Sequence, residues 1–242
     1  VPSEFSKKSF LKKGFSEKKI ITIPYGVNLE YFSSLKEIKE DNINSRAQQL
    51  VRVGDTTREA GDFVNAMQLY RRAAEMRPGW AQPLVRFGET AITAGLYEEA
   101  LTAYDQVAEI EPKNRTGYNG AGIALDLMGR HEDAQSRYIT GMERAPDNLP
   151  LRNNLGLSLA IAGDLKEAMA WLESVAGRPD ANARTRQNLA LVYGLAGDAD
   201  KARETGLKDL GAADVENNLA FYARLRKMPP DQRRKTIFGA LQ

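Results

Sequence analysis

The 242-residue chain has no cysteine and one histidine, His131. Lack of cysteine excludes disulfides, thiolate zinc sites, iron–sulfur clusters and a cysteine nucleophile, and one imidazole is too few for a histidine-based metal site. No stretch approaches the ~20 consecutive apolar residues that a membrane-spanning helix needs. Neither sign of charge dominates: 34 Lys and Arg stand against 32 Asp and Glu, a formal net charge of +2. General electrostatic attraction to nucleic acid is therefore not expected. The chain also lacks a glycine-rich phosphate loop and a serine-centred elbow. No catalytic residue, metal ligand or cofactor is expected, and the function class favoured is binding rather than catalysis. A cysteine-free chain suits either redox compartment. Val1 opens the chain without a Met or a signal-like apolar run, as expected of a fragment or a processed form.

What is present divides unevenly. Up to Asn44 there are eight Lys and no Arg, whereas the other 198 residues hold six Lys and twenty Arg. The first part is rich in Lys, Ser, Ile and Phe, the second in Ala, Gly, Leu and Arg. Two segments are expected, residues 1–44 and 45–242. Their joint lies near residues 36–45, where SLKEIKEDNINS is polar and lacks a core pattern.

The larger segment repeats itself. Gly61, Gly95, Gly129, Gly163 and Gly197 stand 34 residues apart, as do Ala66, Ala100, Ala134, Ala168 and Ala202. Gly54, Gly88, Gly122 and Gly156 keep the same interval with Ala190 in the fifth place, and Pro78, Pro112 and Pro146 close three units. Each unit reads as two helices: Leu84, Phe87, Ala91 and Ala94 recur at helical spacing, Gly95 breaks the run, and Tyr97, Ala100, Leu101, Tyr104 and Ala108 resume it. Gly88 and Ala100 suit a close crossing of the two helices, Gly95 suits a left-handed helix end, and proline ends the second helix for want of an N–H. One such unit cannot bury its apolar face alone, so the units must stack.

The pattern of L/F-G at places seven and eight, G at fifteen, A at twenty, Y at twenty-four and P at thirty-two resembles the tetratricopeptide repeat. The resemblance implies an all-α fold, a right-handed α-solenoid of five repeats near residues 47–80, 81–114, 115–148, 149–182 and 183–213. A C-terminal capping helix within 214–242, ended by Pro229-Pro230, would follow, and a short helix-strand segment would precede. The fifth unit is the weakest, since Ala199, Gly206 and Gly211 replace larger residues, and in VENNLAFYARLRKM the NNLA motif at Asn217 follows Gln187 by 30 residues instead of 34.

Two further resemblances concern function. NNLGLSLAIAGDLKEAMAWL, RQNLALVYGLAGD and DVENNLAFYARLR resemble the repeat protein of tight-adherence (Flp) pilus assembly. That likeness implies a partner in a pilus assembly or secretion machine, in the bacterial cytoplasm or at the periplasmic face of the envelope. VPSEFSKKSFLKKGFSEKKIITIPYGVNLEYF is similar to the stretch joining the two domains of family 4 GT-B glycosyltransferases, with Asn28 where that family has Asp. A helix from Glu4 to Lys13 and a strand from Lys19 to Pro24 are expected there. Because repeats begin at Ala47, where a sugar-nucleotide domain would stand, the segment is read as a remnant or join without a catalytic role. The alternative function is a glycosyltransferase whose repeats recruit substrate.

Stacked units present a concave face lined by their first helices, where a protein or peptide ligand is expected. Places five and six of those helices read Val51-Arg52, Val85-Arg86, Asn119-Gly120, Asn153-Asn154 and Gln187-Asn188, with Asn217-Asn218 in the cap. A carboxamide both donates and accepts, so a row of them can pair with the backbone of a bound peptide, or can bridge neighbouring helices. One turn on, Ile123, Leu157 and Leu191 recur, then Leu127, Ile161 and Leu195. They either make half of the groove apolar or pack between units. Arg52, Asp55, Arg58, Arg86 and Glu89 give the other half charge. The candidate groove is therefore Arg52, Arg86, Asn119, Ile123, Asn153, Asn154, Leu157, Gln187, Asn188 and Leu191.

The remaining candidates have structural readings. His131 takes a packing place at the start of a second helix. Glu98-Glu99 and Glu132-Asp133 suit the positive end of a helix. Trp80 and Trp171 read as packing residues, and the six basic residues from Arg224 to Lys235 as a solvated end.

Overall fold

The structure, a computed structural model, describes residues 29–241 other than residue 147, with side chains described within 41–237. The helix and strand expected before Pro24 lie outside the described residues. Within them there are twelve helices and no strand: α1 (Leu29–Glu59), α2 (Phe63–Met76), α3 (Gln82–Thr93), α4 (Tyr97–Ile110), α5 (Arg115–Met128), α6 (His131–Arg144), α7 (Leu149–Ala162), α8 (Leu165–Ala176), α9 (Ala183–Ala196), α10 (Ala199–Gly206), α11 (Ala212–Arg226) and α12 (Pro230–Leu241). Consecutive helices pack in pairs, and the first helix of each pair touches the first helix of the next, which makes an α-solenoid.

The punctuation follows from backbone chemistry. Gly61, Gly95, Gly129, Gly163 and Gly197 all have φ between 77° and 106°, the left-handed region in which a Cβ is strained. Helices α2, α4 and α6 end at Met76, Ile110 and Arg144, each two residues before a proline. Asp62, Asn114, Asn148, Asn182 and Asp198 each accept a backbone N–H at the start of a helix.

The small residue at place eight makes room for a ring. A Cβ on Gly88 would lie 2.7 Å from the Tyr104 ring, and one on Gly120 of the next unit would strike the ring's other edge. Tyr104 is thus clasped between α3 and α5, while Gly54 and Gly122 leave the same space for Tyr70 and Tyr138. In the fifth unit the relation fails: Ala190 and Gly206 stand at both places, and α10 is only eight residues long. Helix α11 closes in instead, bringing Val215 onto Gly206 and Tyr222 onto Gly194. The Arg186 guanidinium reaches from α9 to Asp209 in the following turn, at 2.5 and 2.8 Å, and holds that carboxyl below the usual aspartate range.

Both ends depart from expectation. Helix α1 runs for 31 residues straight through the polar stretch read as a joint. From Leu29 to Val53 there is no Gly or Pro to stop it, although Ala47 is its first buried residue within 41–59. At the other end the capping helix is two helices. Pro230 starts α12 instead of terminating the fold, because proline's missing N–H has no partner to lose at the first helical position. Arg233 donates to the carbonyls of Leu225 and Met228, both at 3.1 Å, and closes the turn between them. Helix α12 then returns onto α5 and α7. Of the basic residues from Arg224 to Lys235, Arg233 and Arg234 are thus held against the fold, whereas Arg224, Arg226, Lys227 and Lys235 are exposed, as a solvated end would have them.

Two apolar clusters form the core. One spans α1 to α5 and is built largely of Ala with Tyr70, Phe87 and Tyr104. The other runs from Tyr118 through the leucines of α7 and α9 to Leu225 and Ile237.

Candidate functional site: the face of the first helices

Helices α1, α3, α5, α7, α9 and α11 lie side by side and carry the sequence-predicted residues. At its N-terminal end Arg52 is exposed. Below it, Arg86 lies 3.5 Å from Asp55 and 3.1 Å from Glu89, and Arg58 lies 3.3 Å from Glu89. The Tyr70 hydroxyl donates to Asp55 at 2.9 Å, and burial together with that carboxylate pushes its pKa to about 12. Two positive and two negative side chains neutralise one another, while Arg52 stays exposed.

The amides further along bridge helices. Asn154 donates to Asn119 at 2.8 Å, joining α7 to α5, and Asn153 donates to the Thr185 hydroxyl at 3.2 Å, joining α7 to α9. Asn153 and Asn188 are buried, at 4% and 3% exposure, whereas Asn119, Asn154 and Gln187 are half-buried. The amide atoms enclosed without a hydrogen-bond partner include Asn153 Oδ1, Gln187 Oε1 and Asn188 Nδ2. Asn218 is half-buried and Asn217 exposed on α11.

The apolar stripe is closed rather than open. Leu157 and Leu191 are buried, as are the flanking Leu127, Ile161 and Leu195, and Ile123 is half-buried. Two causes act together: adjacent first helices touch directly, and α12 lies over α5 and α7. Ile237 of α12, 1% exposed, belongs to the same cluster as these leucines. Arg234 lays its guanidinium against Gly129 at the end of α5. Of the two readings open for the stripe, these leucines take the packed one, and α12 rests on the face of α5 and α7. Nothing in the 34-residue register announces α12, because its seat is about a hundred residues away in sequence.

His131 belongs to a buried cluster. Its Nδ1 lies 2.8 Å from Asp126, which also accepts from Tyr138 at 2.9 Å and Ser158 at 2.7 Å. Ser158 thus bonds the carboxylate and not the imidazole, and it is fully buried. The group ties α5, α6 and α7 together and does not have the serine–histidine contact that activates a nucleophile. Trp171 donates to the Arg152 carbonyl at 2.8 Å, a packing role. Trp80 instead borders a feature that sequence reading missed. A cleft of about 650 Å³ opens beside the second helices α2 and α4, lined by Trp80, Leu84, Phe87 and Ile110, with Arg77 over Trp80 at 4.9 Å and Arg71 over Phe87 at 5.3 Å.

Among the described residues no group of three or more His, Cys, Asp or Glu could hold a metal ion. None of their helices is long and apolar enough to cross a membrane.

The solved structures similar to this chain are repeat proteins. TTC0263, a thermophilic protein from Thermus thermophilus, is 24% identical with a TM-score of 0.57, over 73% of this chain and 98% of that one. MamA from Desulfovibrio magneticus RS-1 is 17% identical with a TM-score of 0.56, over 71% and 96%. YrrB, a tetratricopeptide repeat protein with an unusual peptide-binding site, is 19% identical with a TM-score of 0.53, over 80% and 97%. At these identities the likeness is one of fold. No curated protein matches the chain. Two family models, both of the tetratricopeptide repeat, match residues 58–121 and 120–184. Together they span more than half of the chain, over the units described above, and the chain belongs to the tetratricopeptide repeat family.

Proposed function

We propose that the chain is a non-enzymatic scaffold that holds a peptide or helix of a partner protein against the face of its first helices, in a bacterial pilus assembly or secretion machine. The observation that carries this reading is α12. A helix already rests across α5 and α7, with Ile237 in their apolar cluster, so this face has the width and chemistry to accept one. The resemblance of residues 153–226 to the pilus assembly repeat protein supplies the setting. Toward the N-terminal end the face stays uncovered at Arg52, and Asn119 and Asn154 remain half-buried.

The test is capture of a partner from bacterial envelope extract, followed by titration against the wild type and the double variant Arg52→Ala/Asn154→Ala. Loss of an exposed charge and one amide should weaken binding roughly tenfold, about 1.4 kcal/mol. Loss of the half-buried Asn154–Asn119 bond should lower stability by about 1 kcal/mol, a few degrees of melting temperature. Added salt should shrink the Arg52 share. Affinity that does not change would mean that the partner sits elsewhere.

A further inference from the structure

The seating of α12 is unusual in what it buries. Of its residues within 230–237, Ile237 alone is fully enclosed, while Asp231, Gln232 and Lys235 face outward. Arg234, three residues before Ile237, also turns inward, 14% exposed. Its guanidinium rests at the C-terminal end of α5, against Gly129, where unpaired carbonyls concentrate negative potential. Yet it is incompletely satisfied: Nη1 reaches Asp231 at 3.1 Å, and Nε is buried without a partner. Residues 227–229 alone separate α11 from α12, so the helix is held at its start by Arg233 and, among its described side chains, further on by Arg234 and Ile237. Within 230–237 one aliphatic side chain is set against an unpaired guanidinium nitrogen, a contact that another helix can contest.

We propose that α12 stands in the partner's place. The seat over α5 and α7 selects an amphipathic helix with a basic residue three positions before an aliphatic one, and such a helix binds only when α12 leaves. This rests on the reading of the first-helix face as the binding face, and adds to it the pattern of the ligand and its competition with the chain's own C-terminal helix.

The probe is a fluorescein-labelled synthetic peptide of residues 227–242, titrated by anisotropy against the full chain as wild type, Arg234→Glu and Ile237→Asp. Either substitution should free the seat, so both variants bind the peptide saturably, and the wild type at least roughly tenfold more weakly because its tethered copy competes at high effective concentration. A peptide carrying both substitutions should not bind. Circular dichroism shows which variants keep the solenoid, and two independent variants leave at least one to measure. Absence of binding by a folded variant, equal binding by the wild type, or equal binding of the substituted peptide would each overturn the proposal. The captured partner separates the two readings: Ile237→Asp should bind it about tenfold tighter. If that variant leaves the affinity unchanged while Arg52→Ala/Asn154→Ala lowers it, the competition fails and the binding face stands. If neither changes it, both fail.

Discussion

Asp126 is the residue on which the middle of the array most depends. Its carboxylate is enclosed at 1% exposure and receives His131, Tyr138 and Ser158 from two other helices. Asp126→Ala would strand the Tyr138 and Ser158 hydroxyls in the core, and urea denaturation should show a loss of about 3–5 kcal/mol. Burial raises the carboxyl above the usual aspartate range, against the pull of its three donors. The folded chain therefore holds this proton more tightly than the unfolded chain does. Its contribution is complete below the ordinary value of about 4 and is lost as pH rises through the raised folded value. Asp126→Asn cannot titrate, so its stability should lack that slope; an identical pH profile for the two proteins would contradict the assignment. The sequence reading placed His131 in a structural role but passed over Asp126, because the equivalent places in the other units hold Arg58, Ile92, Ala160 and Gly194. The amides show the complementary limit. Their places on the first helices were legible, but whether each turned to the groove or to a neighbour depended on partners such as Thr185, 32 residues away.

Among elements, the helix pairs were legible because glycine and proline act locally: a left-handed φ at Gly163 or a missing N–H at Pro112 needs no tertiary context. The ends were not. Helix α1 extends well before Ala47, although within 41–46 it buries nothing. A chain beginning at Ser45 should therefore melt cooperatively at nearly the same temperature and lose only helical ellipticity, by circular dichroism. A fall of more than about 5 °C, roughly 2 kcal/mol for a domain of this size, would mean that the extension packs on the repeats. The 30-residue spacing after Gln187 also has a physical origin. With Gly206 where other units place Tyr or Leu, α10 has little to bury and ends early, and α11 moves in to cover α9 with Tyr222. Pro229-Pro230 carried the signal of a stop, yet the second proline serves as a start.

The molecule as a whole has two cores of different richness. The N-terminal cluster relies on Ala66, Ala73, Ala91, Ala100 and Ala103, whereas the C-terminal one packs Leu151, Leu155, Leu159, Leu172 and Val192. Larger side chains remove more apolar surface from water, at about 25 cal/mol per Å². In an array stabilised by nearest-neighbour contacts, this gradient should appear as uneven protection. Native-state hydrogen exchange should find the amides of α1 to α4 opening at lower denaturant than those of α5 to α9. Uniform opening would show that the clusters act as one.

Helix α12 also fixes a length. It starts beside the last helix pair and must place Arg234 at the end of α5 and Ile237 over the cluster of α5 and α7. A unit inserted or deleted ahead of α5 leaves that span untouched. The same change between α7 and α11 moves the strap's origin by one repeat, so that both side chains arrive opposite the wrong helices. The tie thus works as a ruler: array growth is free at one end and counted at the other.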